Sequence, residues 1–278
     1  MYKLKIVDSF FSHIHCLGNM HQLDQNIIWD RNVSMMDEVV FYTSNFSNPA
    51  IGKTKIALLI ESPYVTKNLY DEIQQYENNF NYILTFDTDL LSRGEKYLQY
   101  FLGGCWMSKE NIKIFNKHKN ISIIASNKKH LEGHDLRHKI VSKYRNKIDF
   151  ICGRGYLPIN EKIEALKDFR YSISIENCKK DTYFTEKIID CFATATIPIY
   201  WGCDSIHKYF NNNGFYTFSS IEELNNILNI ISENDYNSKL EYIKENFELS
   251  KKYLTPENNI LDVILSKINL DQYKIVSN

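Results

Sequence analysis

The stretch Tyr171 to Gly202, YSISIENCKKDTYFTEKIIDCFATATIPIYWG, limits the fold more tightly than any other part of the chain. Tyr171, Ile173 and Ile175 alternate with Ser172 and Ser174, the two-residue period of a strand with two unlike faces. Glu176 to Asp181 is polar and turn-forming. Thr185 is placed to cap a helix whose apolar positions Ile188, Ile189, Phe192 and Ala193 share one face. Ile197 to Trp201, with Pro198 near its start, reads as a second strand that Gly202 ends. The order strand, loop, helix, strand is one βαβ unit. It crowds Glu176, Asn177, Tyr183, Glu186 and Lys187 at the strand exit and helix start, the edge where open parallel sheets bind ligands. Free N–H groups and the positive dipole end of a helix face that edge. Lys187 opposes the dipole preference of a first helical turn, so it requires an anion or a carboxylate beside it. An anionic ligand is the simplest way to meet that requirement.

The same alternation runs through the rest of the chain. Lys3–Val7, Val39–Thr43, Lys55–Ile60 and Tyr82–Phe86 read as strands, with helices over Asn68–Tyr76 and Leu90–Phe101. The polar run NKHKN, around Lys117 to Asn120, marks a boundary after which the alternation restarts. Ile121–Ala125 and Ile148–Cys152 are then strands, with helices over Gly133–Tyr144 and Glu161–Phe169. Beyond Gly202 a small strand is expected at Phe215–Phe218. A helix capped by Ser219, with SIEE as its capping box, should run to Ile231. Helices over Tyr236–Tyr253 and Asn259–Ile268 complete the pattern. Two successive blocks of strands alternating with helices predict an α/β chain of two Rossmann-like lobes. The expected lobes are residues 1–118 and residues 119–278, the second carrying the C-terminal helices. A chain of 278 residues is long enough for both.

Several function classes are set aside on sequence grounds. A net charge of −1 supplies no general field for nucleic acid. The six cysteines form no CxxC pair, which argues against structural zinc and for reduced, buried thiols. MYKLKIVDSFF has no secretory apolar core, and no apolar run approaches the roughly 18 residues of a membrane span. A soluble, cytoplasmic protein is expected. His13, His15 and His21 lack a further ligand at matching spacing and read as loop or acceptor-cleft histidines. Asp87-Thr88-Asp89 after a strand is a DxD of the metal–nucleotide kind, a weak signal on its own. Gly153-Arg154-Gly155 lacks the third glycine of a dinucleotide fingerprint, which disfavours an NAD enzyme.

The segment GHDLRHKIVSKY sets His134, Arg137 and His138 on one helix face, with Leu136, Ile140 and Val141 to the other side. Periodicity alone makes this an exposed basic face. The helix, however, follows a strand exit at Ser126, where a guanidinium can clamp phosphate oxygens in pairs. Arg137 and Lys187 would then reach one diphosphate from two successive βα units. Taken singly, Glu186 and Lys187 would be solvated helix charges and Tyr183 a sheet-packing residue; their convergence favours a site. Asn177 and Glu186 suit hydroxyl groups of sugar or ribose, and Tyr183 suits a base or a phosphate. Glu61, ahead of Pro63 at the end of the KIALLI strand, occupies the ligand edge of the first lobe.

ENCKKDTYFTEKIIDCFATATIPIYWG resembles the donor-binding signature of the family 10 glycosyltransferases, the α-1,3/4-fucosyltransferases. That signature is an ENS loop, a spacer, Y-[VF]-T-E-K, a helix, and an [IV]-P-[IV] strand ending in glycine. The resemblance covers about residues 120–205, and IESP, Ile60 to Pro63, is similar to the segment carrying the family's proposed base. It implies a GT-B arrangement, two Rossmann-like lobes facing each other, with GDP-fucose held by the C-terminal lobe. By position, Lys187 and Arg137 would neutralise the diphosphate. Tyr183, Glu186 and Asn177 would hold nucleotide and sugar, Ser126 would lie at the phosphate loop, and Glu61 would be the base. Cys178 stands where the family has serine, and GHDLRH departs from the family's usual surroundings of the arginine. The implied activity is inverting transfer of fucose to a glycan hydroxyl by a bacterial- or viral-like member without a membrane anchor. No metal is obligatory in that scheme, and a divalent ion would be non-essential. The alternatives are a GT-B transferase using another nucleotide sugar and a catalytically silent nucleotide- or sugar-binding module.

Overall fold

The computed structural model of the chain describes residues 1–9 and 25–275; His13, His15, Cys16 and His21 lie outside the described residues. The chain divides into two α/β units, Met1–Gly104 with Thr255–Asn278, and Cys105–Leu254. This differs from the expected break at 118/119 with all C-terminal helices in the second lobe. The last helix returns to the first unit because its start is bonded there. Trp29 Nε1 donates to Glu257 Oε1 at 3.2 Å and the Asn26 N–H to Asn258 Oδ1 at 2.8 Å. The segment after Gly104 is held in the second unit, where the Trp106 N–H donates to Asp190 Oδ1 at 2.7 Å.

In the first unit the elements are β1 (Tyr2–Val7), β2 (Ile27–Asp30), β3 (Val39–Tyr42), β4 (Thr54–Leu58), α1 (Lys67–Tyr76), β5 (Tyr82–Thr85), α2 (Thr88–Leu91) and β6 (Tyr97–Gln99). The six strands form one parallel sheet in the order β2-β1-β3-β4-β5-β6. Val40, Ala57, Ile83 and Ile73 lie in its core. The β2 strand is absent from the sequence reading. The helix expected over Leu90–Phe101 is instead the four-residue α2 followed by β6. Gly94 adopts φ +149°, a region closed to side chains, and turns the chain so that Leu98 pairs with Leu84.

The second unit contains β7 (Lys119–Ile124), α3 (Glu132–Tyr144), β8 (Phe150–Cys152), β9 (Phe169–Ile175), α4 (Glu186–Phe192), β10 (Ile197–Trp201), β11 (Tyr216–Thr217), α5 (Ile221–Ile230), α6 (Glu233–Ser238) and α7 (Leu240–Ser250). The parallel sheet runs β11-β10-β9-β7-β8, so the opening βαβ unit is β9-α4-β10 at its centre. Every residue of β9 is buried. Its Tyr171, Ile173 and Ile175 join Ile121, Ile123, Ile197 and Ile199 in the apolar core. On the alternate positions Ser172 Oγ meets Ser122 Oγ at 3.1 Å, and the Ser122 hydroxyl donates to the Ala165 carbonyl. The serine period thus marks a buried polar face, not a solvated one.

Four helices of the C-terminal half differ from the sequence reading. Glu161–Phe169 is only a 3₁₀ turn, Lys162–Ala165, closed by a capping box between Glu161 and Glu164, and Phe169 already belongs to β9. The cap of α5 is Ser220 rather than Ser219: its hydroxyl accepts from the Glu223 N–H at 3.1 Å, while Glu223 accepts from the Ser219 N–H. Tyr236–Tyr253 is broken at Lys239 into α6 and α7. The final helix α8 spans Pro256–Leu265, starting earlier than expected with its proline in the first turn, where no N–H partner is lost.

Candidate functional site

The β7 and β9 strands lie side by side, with Ile123 opposite Ile173, so their exits and the loops leading to α3 and α4 are neighbours. A glycine lets these loops touch. The Gly133 N–H donates to the Asn177 carbonyl at 3.1 Å, and a Cβ at Gly133 would sit 1.8 Å from the Glu176 carbonyl oxygen. One turn further along α3, Arg137 donates to the Ile175 carbonyl and, at 3.4 Å, to Asn177 Oδ1. Arg137 is only 7% exposed. The basic helix face is therefore buried, which overturns the reading from periodicity. Burial draws the Arg137 pKa down, and Glu176, Glu186 and Tyr183 work against that. A guanidinium stays charged through such a shift.

Glu176 organises the next loop from a fully buried position. Its carboxylate accepts from the Thr185 N–H at 2.9 Å, the Thr185 hydroxyl at 2.7 Å and the Tyr200 hydroxyl at 3.4 Å. Lys187 Nζ lies 3.3 Å from it. Gly202 is needed at the end of β10 because a Cβ there would come 2.5 Å from Glu176 Cγ. The chain between bends through Thr182 at φ 60°, a costly conformation for a β-branched residue. Asp181 Oδ1 pins that bend by accepting from the Thr182 and Ser205 N–H groups. Thr185 caps α4 as expected, its side chain accepting from the Lys187 N–H.

Lys187 meets the requirement read from the sequence with carboxylates of the protein itself. Besides Glu176, its Nζ is 3.3 Å from Glu186 Oε1 and 2.9 Å from Thr185 Oγ1. Burial opposes its charge, but Glu186 and Glu176 outweigh burial and raise its pKa. Glu186 is shifted the other way: burial pushes its pKa up, and Lys187 and Lys162 together pull it below the usual range. Lys162 lies 3.3 Å from Glu186 and 2.9 Å from Asp190, with its ammonium over the Trp106 ring. Asp190 stays raised by burial in spite of Lys162.

These groups wall a cavity of about 370 Å³, within the size range of small-molecule sites. Of the seven candidates, Ser126, Arg137, Asn177, Glu186 and Lys187 line it. Tyr183 is buried at 1% exposure and is not part of the lining. Glu61 belongs to the first unit, just beyond β4, where its carbonyl accepts from the Tyr70 hydroxyl at 3.0 Å. Sequence reasoning missed Lys128, Arg154, Lys162 and Asp190 in the wall. A signal existed for Arg154: the glycines on either side adopt φ +110° and +95°, forming a tight turn after β8. Lys162 and Asp190 are 28 residues apart and gave none. The wall carries five cations, Lys128, Arg137, Arg154, Lys162 and Lys187, against the carboxylates of Glu186 and Asp190. That imbalance suits a multiply charged anion.

The other motifs have local explanations. Asp87 of the DxD caps α2, its Oδ1 accepting from the N–H groups of Asp89 and Leu90 at 3.0 Å each. Among the described residues no group of three or more His, Cys, Asp or Glu side chains is arranged to hold a metal ion. His138 is tied to the Tyr156 hydroxyl at 2.6 Å and the Lys128 carbonyl at 3.0 Å. Cys105, Cys152, Cys191 and Cys203 are buried free thiols, and Cys178 is buried as well. No helix among the described residues is long and apolar enough to cross a membrane.

A parallel α/β unit with a cationic cavity at its strand exits belongs to the class that takes phosphate-bearing ligands at that edge. Comparison with known proteins narrows the class. Residues 112–261, more than half of the chain, match the C-terminal part of glycosyltransferase family 10 (fucosyltransferase), and the chain belongs to that family. It is 32% identical over 126 residues, 41% of its length, to the alpha-(1,3)-fucosyltransferase of Helicobacter pylori. The matches span about a quarter of the length of the curated relatives, 24% and 25%. An α1,3-fucosyltransferase crystallised with GDP-fucose shares the fold at a TM-score of 0.53 and 18% identity, over 91% of this chain and 90% of that one. Anabaena Alr3699/HepE, solved with UDP-glucose, does so at 0.56 and 9% identity, over 83% and 79%. The architecture is thus the GT-B kind, with two Rossmann-like units.

Proposed function

We propose that the chain is an inverting glycosyltransferase that moves fucose from GDP-fucose to a hydroxyl of a glycan acceptor. The observation that carries this reading is the convergence of Arg137 and Lys187, on the helices that follow the sheet neighbours β7 and β9, on one cavity. Both cations neutralise the donor diphosphate. Asn177 and Glu186 bind hydroxyl groups of ribose or fucose, and Ser126 lies at the phosphate loop. Tyr183, expected to hold the nucleotide, is buried outside the cavity wall and packs behind the loop that carries Lys187 in this reading. The first unit takes the acceptor, and Glu61 is its general base. The acceptor oxygen attacks the anomeric carbon, its proton passes to Glu61, and the bond to the diphosphate oxygen breaks as GDP leaves. A single displacement turns the β-linked donor into an α-fucoside. Base assistance contributes about 10²–10⁴-fold, and the cations stabilise the charge that develops on the leaving group. With those cations supplied by side chains, a divalent ion is not obligatory and turnover survives chelation. Cytoplasmic residence is part of this reading, supported by the buried free thiols of Cys105, Cys152, Cys191 and Cys203.

Thermal shift across GDP, UDP, GDP-fucose and UDP-glucose tests the donor, since a ligand of the folded state raises the midpoint by mass action. GDP and GDP-fucose should raise it in the native chain and fail to do so in Lys187→Ala. Glu61→Gln should retain donor binding and lose turnover; normal turnover in that variant sinks the base assignment. A transferase of another nucleotide sugar is the second reading, favoured by the fold shared with the UDP-glucose-bound Anabaena protein. A shift with UDP-glucose and none with GDP would establish it. GDP binding without transfer to any acceptor would instead mark a silent module.

A further inference from the structure

His134, in the cavity wall, carries a buried ring nitrogen that no hydrogen bond among the described residues accounts for. His134 occupies the first turn of α3 and is 6% exposed. It lines the same cavity as Arg137 and Lys187. Its Nδ1 is buried without a hydrogen-bond partner among the described residues. Leaving such an atom unpaired costs about 1–3 kcal/mol, so a folded chain that keeps it has another partner to offer it. The neighbours identify that partner by charge. Arg137, Lys128, His130 and Lys187 all act on the imidazole with positive fields, and with burial they hold it neutral, at a pKa of about 4. A neutral ring set among cations can still donate one N–H. It adds no positive charge to a site already rich in it, and an anion is the ligand those surroundings select. The 13-residue α3 helix adds its positive dipole end at the same place.

We propose that His134 is a further phosphate-binding side chain, donating from Nδ1 to an oxygen of the donor diphosphate that Arg137 and Lys187 neutralise. The proposal rests on the donor reading given above. Position supports it: His134 and Arg137 are three residues apart, on one face of α3, and both line the cavity. Asparagine carries an amide nitrogen near the place of Nδ1, so His134→Asn preserves the contact and His134→Ala removes it.

Isothermal titration of native, His134→Ala and His134→Asn chains with GDP and with uncharged guanosine tests this. For GDP, His134→Ala should weaken binding about tenfold or more, the range of a hydrogen bond to a charged group. His134→Asn should recover most of that loss, and guanosine binding should be the same in all three. Unchanged GDP binding in His134→Ala overturns the proposal. So does an equal loss for GDP and guanosine, which would put the contact on the nucleoside. If His134→Ala does not fold, His134→Asn decides, since a tenfold weakening there with a native melting midpoint also overturns it. Failure of the native chain to bind GDP at all is a separate result, which defeats the donor reading and this proposal with it.

Discussion

Replacing Glu176 with glutamine tests whether one buried carboxylate holds the loop that presents Lys187. The substitution keeps the shape of the side chain and one acceptor oxygen. That oxygen can go on serving the Thr185 N–H at 2.9 Å and the Tyr200 hydroxyl at 3.4 Å. The other oxygen accepts from the Thr185 hydroxyl at 2.7 Å and pairs with Lys187 Nζ at 3.3 Å. An NH₂ in its place sets donor against donor. Removing one partner of a buried ion pair costs about 3–5 kcal/mol. Here Lys187 keeps Glu186 at 3.3 Å and its side chain is 21% exposed, so about 2–3 kcal/mol is expected. For a unit of this size that lowers the melting midpoint by roughly 4–12 °C. The assay is thermal unfolding followed by tryptophan fluorescence, with Trp201 directly before Gly202 as a reporter in the same unit. A Glu176→Gln midpoint within about 0.5 kcal/mol of native would refute the argument. The double variant Glu176→Gln/Lys187→Met supplies a second check, because removing the orphaned charge should recover part of the loss. Simple additivity would mean the ion pair is not what orders the loop.

Three other outcomes follow from the same geometry. Gly133→Ala should cost more than about 3 kcal/mol, because its Cβ meets backbone at 1.8 Å and the two loops must part; a native urea midpoint would show that they part easily. Lys162→Met leaves Glu186 and Asp190 without their shared cation and should destabilise by about 3 kcal/mol. Adding Asp190→Asn should reduce that cost, and a larger cost in the double variant would contradict the pairing. His134 gives a pH signature: burial, then Arg137 and its other cationic neighbours, lower its pKa to about 4 from the ordinary 6.5. Between those values the unfolded chain binds a proton that the folded chain does not, so stability falls as pH falls through that window. Urea midpoints should report a loss of about 2 kcal/mol from pH 7 to pH 4.5 that His134→Asn lacks; equal losses in both would refute the assignment.

The donor half of the site was legible because its residues sit at positions that a βαβ unit dictates. Thr185, Glu186 and Lys187 follow the exit of β9, and Arg137 follows the exit of its sheet neighbour β7. Short-range rules failed where a distant partner decided the local form. The apparent helix at Leu90–Phe101 became a strand because β5 offered an edge and Gly94 a turn. Glu161–Phe169 lost its last residue to β9, whose pairing with β7 begins there, at Phe169 beside Lys119. The basic face of α3 looked solvated because periodicity does not reveal that Asn177 and the Ile175 carbonyl lie beneath it.

What the sequence determined by itself was the alternation of strands and helices and the family signature, because both are written in spacing along the chain. Tertiary structure decided the rest. It returned α8 to the first unit, buried Arg137, held Glu186 and Asp190 on Lys162, and left His134 Nδ1 without a partner among the described residues. Charge balance in a buried site is a sum over neighbours in space, and here those neighbours are distant in the chain, Lys162 and Asp190 by 28 residues and Arg137 and Glu186 by more.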